Sequence, residues 1–484
     1  MRRIKNILTN NWLIILILII GGFLRFYRFE EFVTFLGDQG RDAIIIKRIL
    51  TLEHLPAIGA PTSIGQVYLG PFYYYFIAPW LLIFRFNPVG LAFGVGFFST
   101  LFLIINYLIV KKLFDKKTAL ISTFLIATSY VLIDLSRFSW NPNLLPLFSF
   151  LTIYFLYQAL KTNKWYYFAF TGAFLSFSIQ LHYLALSLGL PILILFIGYL
   201  LKNLKNLKKL IIHYSLLIFN FSLFSLPLLI FDLRHNFLNS KNLITLIQTS
   251  SSQKPDFLAN LIDTFSYLNF YIFNYKFSQL INIVLLVSII ISFLSYFNRK
   301  KDLFYYLHLV FITILLFLSL YSGPKHPHYL GVLYPFYLLL ISRYLSFLFN
   351  SLFEKTVVLV FLVSFVFLNN QKYSFLYFKG GNQIKHSEKI AQFLKEKINN
   401  KPYNIATWPV DFTEDNYLYF LELYGLKPAD RQKVEITNQM FVLCNKEPCQ
   451  VINSPSWNIS MFGKAKIVSQ WTVDNVKIYK LIHN

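Results

Sequence analysis

Charge is scarce and lopsided in this 484-residue chain. Asp, Glu, Lys and Arg make up 14% of it, and 22 acids face 45 Lys and Arg. An ordinary soluble domain is excluded, because about a quarter of such a domain is charged. Cysteine is nearly missing: Cys444 and Cys449 stand alone near the C-terminus. A disulfide-built scaffold is therefore excluded, and one pair remains whose bonding depends on the redox compartment. The chain also lacks a Gly-x-x-x-x-Gly-Lys phosphate loop and a dinucleotide fingerprint, so nucleotide-sugar chemistry is not expected. Carboxylates and histidines at ligand spacing are missing too. His326-Pro327-His328 is a weak divalent-metal signal by itself, and no cofactor is expected.

What the chain has instead is apolar length. Hydrophobic residues form 56% of it, in blocks long enough to cross a hydrocarbon core roughly 30 Å thick. The first, Trp12 to Leu24, follows Arg2, Arg3 and Lys5 and lacks a small-residue cleavage site, so it reads as a retained signal anchor. Further blocks run 88–110, 118–133, 143–160, 165–181, 184–201, 210–231, 278–297, 303–322, 329–348 and 355–370. The net charge of +23 does not point to nucleic acid, because the cations sit in short loops between these blocks. Lys111, Lys112, Lys116 and Lys117 fill one loop, and Lys161 and Lys164 the next alternate one. Lys202, Lys205, Lys208 and Lys209 follow, then Arg299, Lys300 and Lys301, then Lys355. All fall on the side of Arg2, Arg3 and Lys5 if the aromatic block 71–86 does not cross, which satisfies the positive-inside rule. Residues 71–86 then form an interfacial or re-entrant segment.

The expected fold is mainly α: a polytopic membrane helix bundle of about eleven spans, with interfacial helices in the first external loop. Residues 1–370 make the transmembrane domain. Residues 371–484 make a small extracytoplasmic α/β domain, with a helix at Ser387–Ile398 and strands at Tyr403–Trp408, Gln439–Cys444 and Val476–Ile482. The segment 232–277 is expected as an external loop. An external tail also favours a Cys444–Cys449 disulfide.

Lysines alone set this topology, so the other ionisable residues test it. Asp38, Arg41 and Asp42 lie in the first external segment. Asp134 and Arg137 precede Asn141-Pro142 in the second. His182 lies in the third, and Lys325, His326 and His328 in a later one. All converge on one membrane face, where partly buried ionisable groups are functional candidates. A carboxylate there can act as general base, while Arg, Lys and protonated His can hold a phosphate and the charge growing on it. Tyr73 and Tyr74 would line a groove and stack on sugar faces. A solvated helix start, a snorkelling Arg137 and an ordinary polar turn at 325–328 are the plain alternatives.

These residues resemble the GT-C membrane glycosyltransferases, in particular the protein O-mannosyltransferase and lipid A aminoarabinose transferase group (glycosyltransferase family 39). Four features carry the likeness: Asp38-x-x-Arg41; Gly70-Pro71-Phe72-Tyr73-Tyr74; Lys111 to Lys117 leading into Ala127-Thr128-Ser129; and Ser136-Arg137-Phe138 followed by Asn141-Pro142. The likeness covers 1–200 and, more loosely, 320–340. It implies inverting transfer of a hexose or pentose from a polyprenyl-phosphate sugar, with Asp38 as catalytic base and Arg41 near the donor phosphate. Membrane lipid and a glycan, lipid or protein acceptor are the implied partners. Asp38-Gln39 stands where many relatives have two acids, and Leu69-Gly70 where aminoarabinose transferases have a lysine. Lipid A is therefore not carried over as acceptor. A lipid or glycan transporter and a lipid-linked polysaccharide polymerase or ligase are the competing readings.

Overall fold

A computed structural model describes residues 2–62, 66–250, 256–297, 302–409 and 412–484. Arg299, Lys300 and Lys301, which contributed to the topology, lie outside the described residues. In chain order the helices are α1 Arg2–Phe26, α2 Phe29–Phe32, α3 Gly37–Leu50, α4 Phe72–Ile83, α5 Val89–Leu113, α6 Lys116–Thr128 and α7 Tyr130–Leu135. Then come α8 Leu145–Thr162, α9 Trp165–Leu181, α10 Gly189–Asn203, α11 Leu207–Arg234, α12 Leu238–Ser250, α13 Phe257–Phe273, α14 Gln279–Ser295, α15 Leu303–Leu318, α16 Tyr334–Phe347 and α17 Leu352–Asn370.

The starts of several helices are written in the sequence. Asp115 caps α6 by accepting from the Thr118 amide, and Ser351 and Glu354 form a capping box on α17. Such side chains satisfy amides that lack a partner within the first turn. Among the described residues, four helical segments are long and apolar enough to cross a membrane by length and composition: Val89–Leu113, Asn141–Thr162, Tyr183–Arg234 and Leu352–Asn370. Asn11–Phe26, Gln279–Ser295 and Leu303–Leu318 are shorter apolar helices. α6 and α16 have 13 and 14 residues, shorter than the apolar blocks 118–133 and 329–348 read from the sequence. α4 has 12 residues, about 18 Å at a helical rise of 1.5 Å per residue, well short of a hydrocarbon core.

The lysine loops gather at one end of the bundle. Arg343 near the end of α16 pairs with Asp115 at the start of α6 at 2.5 Å, and Lys117 lies 5.1 Å over the Phe349 ring. Tyr157 near the end of α8 meets Tyr306 at the start of α15. The opposite end carries the connections that hold the candidate site.

The segment 232–277, expected as an external loop, carries two helices, α12 and α13. α13 buries Leu261, Phe265, Leu268 and Ile272, a 3–4 spacing that makes one apolar stripe. Asn260 near its start donates to the carbonyl of Tyr321 just beyond α15, at 3.0 Å. Asn274 just past its end donates to Leu368 at the end of α17, also at 3.0 Å. Both ends of α13 therefore meet the same end of the bundle, and the helix lies across that end instead of passing through it. Asn260, Asp263 and Asn269 interrupt its hydropathy, which is why the apolar-block reading passed over it.

Beyond α17 the chain adds α18 Ser374–Tyr377, α19 Gln383–Ile398, strand β1 Asn404–Trp408, α20 Asp415–Leu423, β2 Gln439–Cys444, α21 Trp457–Ser460, β3 Ala465–Val473 and β4 Val476–His483. The sheet order is β1-β2-β4-β3. β1 and β2 are parallel, and β4 pairs antiparallel with β2 and β3. Cys444 and Cys449 form a disulfide. α18, α20, α21 and β3 are additions to the expected elements. β3 alternates half-buried and exposed positions at the sheet edge, so its apolar signal is weak.

Candidate active site

The first turn of α3 supplies the acidic motif. Gln39, where relatives place an acid, closes this turn: its Oε1 accepts from the Leu36 amide at 3.0 Å. Asp38 and Asp42, one turn apart, have opposite surroundings. The Asp38 side chain is 54% exposed and accepts one hydrogen bond, from Arg41 Nη1 at 2.8 Å. Asp42 is fully buried, and its Oδ1 accepts from Arg41 Nη2 at 2.8 Å, Arg41 Nε at 3.1 Å and Tyr74 at 3.0 Å. Its Oδ2 has no partner. Burial raises the Asp42 pKa against the opposing pull of Arg41 and Tyr74, as expected for a carboxylate taken out of water. Burial also works against the Arg41 charge, but Asp42, Tyr74 and Asp38 outweigh it and raise its pKa. Arg41 is thus a fixed cation between a buried and an accessible carboxylate.

α4 joins this motif to the rest of the face. Its N-terminus is seated by Gln180 of α9, whose Oε1 accepts from the Phe72 amide at 3.2 Å. Gly70 makes room for this contact: an added Cβ would stand 2.2 Å from that same Oε1 and displace the Gln180 side chain. Tyr74 reaches Asp42, while its neighbour Tyr73 shares a 2.7 Å hydrogen bond with Ser139. The next residue, Trp140, packs edge-on against His328 at 4.4 Å, and His328 lies 5.6 Å from His182. His326 stacks on His328 at 5.8 Å. Asp38, Arg41, Asp42, Tyr73, Tyr74, His182, His326 and His328 therefore form one continuous chain of contacts, with Lys325 beside it.

The structure corrects four expectations within this set. Arg137 caps a helix: its Nη1 donates to the carbonyls of Leu24 and Arg25, its Nη2 to that of Tyr27, and its guanidinium stacks 4.1 Å over Phe375. It satisfies the last carbonyls of α1 and counters the negative end of that helix, so it is not a free phosphate ligand. Asn141 is likewise committed, donating to the Leu181 carbonyl at 2.6 Å. Tyr73 and Tyr74 are 2% and 1% exposed; they brace the site and cannot stack on a sugar. Burial lowers the pKa of His182 to about 4 and, with His182 and His326 nearby, that of His328 to about 3. Both are neutral imidazoles at pH 7, not cations. His182 uses Nδ1 to accept from the Leu184 amide. Lys325, lowered by burial to about 8, keeps its charge at neutral pH and donates to the Tyr321 carbonyl.

Two contributors were passed over in the sequence. Arg25, fully buried, donates to Ser99 Oγ at 2.9 Å and to carbonyls of Gly21, Ile126 and Ala127, tying α1 to α5 and α6. It directly follows the apolar run Trp12 to Leu24 and has no motif of its own. The second comes from the tail. α20 packs on α3 so closely that a Cβ on Gly40 would lie 2.2 Å from the Asn416 amide nitrogen, and one on Gly37 would clash with Thr413. Asp415 therefore stands within the electrostatic reach of Asp38, Arg41 and Asp42. No periodicity announces a contact between residues 40 and 416.

The sequence profile of the family described as dolichyl-phosphate-mannose-protein mannosyltransferase matches residues 69–231, from the segment that starts α4 to the end of α11. No curated protein matches the chain by sequence. Among solved structures, ArnT from Cupriavidus metallidurans bound to undecaprenyl phosphate superposes with a TM-score of 0.63 at 12% identity, over 97% of this chain and 98% of that one. The apo form of the same protein gives 0.62 at 12% identity, over 98% of each chain. The Archaeoglobus fulgidus oligosaccharyltransferase complexed with Zn and sulfate gives 0.50 at 14% identity, over 85% of this chain and 61% of that one. Identities this low speak to the fold. The chain has the fold of ArnT from Cupriavidus metallidurans, and within it residues 69–231 match the sequence profile described as dolichyl-phosphate-mannose-protein mannosyltransferase.

Proposed function

We propose that this protein transfers a hexose or pentose from a polyprenyl-phosphate carrier to an acceptor hydroxyl, with inversion, at the outer face of the cytoplasmic membrane. The observation that carries the reading is the Asp38–Arg41–Asp42 arrangement at the start of α3, on a fold shared with a protein whose structure holds undecaprenyl phosphate. Asp38 is the accessible carboxylate and takes the acceptor proton. The acceptor oxygen then attacks the anomeric carbon from the face opposite the phosphate. The carbon–oxygen bond to the phosphate breaks, and its electron pair leaves with the polyprenyl phosphate. Arg41 and Lys325 offset the charge growing on that phosphate, the role that costs least when the donors are already in place. The imidazoles of His326 and His328 supply N–H donors beside them. Asp42 and Tyr74 hold Arg41 in position.

In this reading the lysine-rich end faces the cytoplasm. The N-terminus lies inside, and the unit 371–484 lies outside, where its disulfide is at home. The test is turnover of radiolabelled polyprenyl-phosphate sugars by the purified protein in liposomes. Release of sugar from its carrier supports the transferase. Tight binding of every carrier offered, with all of them left intact, would replace it with a transporter.

A further inference from the structure

The lysine-rich end of the bundle holds a cavity of about 310 Å³ between α5, α8, α10, α15 and α16, at the low end of the range for ligand pockets. Its floor is buried and apolar, formed by Val110, Phe150, Leu156, Leu307, Val310 and Phe336. On α8 the lining runs from Phe150 to Lys161. That stretch is about 16 Å long at a helical rise of 1.5 Å per residue, roughly half of a hydrocarbon core. The cavity is therefore a slot along the bundle, about one leaflet deep. Such a floor offers dispersion contacts and no polar partner, which suits a hydrocarbon chain and not a compact polar ligand.

The mouth has the opposite chemistry. Lys161, exposed at the end of α8, lies 5.4 Å over the ring of Tyr157, and Tyr157 meets Tyr306 at 6.0 Å. All three line the cavity. Lys111 directly follows the lining residue Val110 and lies 5.6 Å over Tyr107. Among the described residues neither lysine pairs with a carboxylate. The acids at this end are engaged elsewhere: Asp115 pairs with Arg343, Asp302 caps α15 and Glu354 caps α17. Positive charge is thus in excess where a chain lying in the slot would carry its headgroup. An ammonium group and phenol hydroxyls are donors that suit phosphate oxygens.

We infer that this slot binds an anionic phospholipid, with one acyl chain in the cavity and the phosphate on Lys161, beside Tyr157 and Tyr306. The headgroup cations stand at the end of the bundle opposite Arg41 and Lys325, the residues proposed to hold the donor phosphate, so the slot is a second lipid site. The inference needs only the membrane placement of the bundle and stands apart from the transferase reading.

The test reconstitutes the full chain in phosphatidylcholine vesicles doped with phosphatidylglycerol that carries a photoreactive diazirine in one acyl chain. After irradiation, the labelled peptides are mapped by mass spectrometry. The expected labels fall on the slot residues of α8 and α15, and are competed by unlabelled phosphatidylglycerol but not by phosphatidylcholine. Lys161→Ala lowers this labelling about fivefold, the size of one lysine's attraction to an anionic lipid, and Lys161→Arg retains it. Equal labelling by the matching photoreactive phosphatidylcholine, unchanged labelling in Lys161→Ala, or no label in the slot would each overturn the inference. Competition by undecaprenyl phosphate in place of phosphatidylglycerol would also overturn it and give the slot to the donor's tail.

Discussion

Asp38 and Asp42 share a helix face one turn apart, and Arg41 bonds to both, yet only one is open to a substrate. Their difference is burial, which a single sequence does not display. The motif was legible as a candidate because ionisable residues are rare in this chain; the division of labour inside it was not. Arg137 shows the opposite error: it lies in a recognisable motif but serves α1. Arg137→Ala leaves three carbonyls without their donor and is expected to destabilise the fold by about 3 kcal/mol, with donor affinity per folded molecule unchanged. A normal melting temperature with weakened binding would return Arg137 to the phosphate site. Lys325 carries a pH prediction. Its lowered pKa, about 8, means that its charge is present below that pH and is lost as pH rises through it. The phosphodiester of the donor keeps its charge throughout this range. Donor affinity should thus fall roughly tenfold on passing from pH 7 to pH 9, the size of one charged hydrogen bond. Lys325→Arg should remove that dependence, and an unchanged pH profile in this variant would exclude Lys325 as its source.

Among elements, the long apolar helices and the strands β1, β2 and β4 follow from periodicity and appear close to where the sequence places them. α13 and β3 were missed for related reasons. α13 buries one face against α15 and α17 while its polar residues dilute the apolar signal, and β3 has only half-buried and exposed positions. The packing of α20 on α3 was also invisible beforehand, because it depends on what Gly37 and Gly40 leave out. Gly40→Val places side-chain atoms against the backbone of residues 415 and 416. It should loosen the tail unit by about 2 kcal/mol, measured as faster limited proteolysis of residues beyond α17, while donor binding persists. Unaltered proteolysis would show that the two helices do not need this approach.

At the scale of the whole molecule, loop lysines and site residues occupy opposite ends of one bundle, although each set was identified without the other. In the proposed reading, that separation puts the candidate site at the end away from the positive loops, on the side where α20 of the tail unit packs on α3. The most direct test of the account compares wild type and Asp38→Asn in proteoliposomes, measuring sugar transfer from a saturating polyprenyl-phosphate donor and donor binding in the same samples. Loss of a general base predicts a fall in rate of about 10²–10⁴-fold, with donor binding preserved. Transfer at near wild-type rate in Asp38→Asn would contradict the assignment of Asp38 and the mechanism built on it.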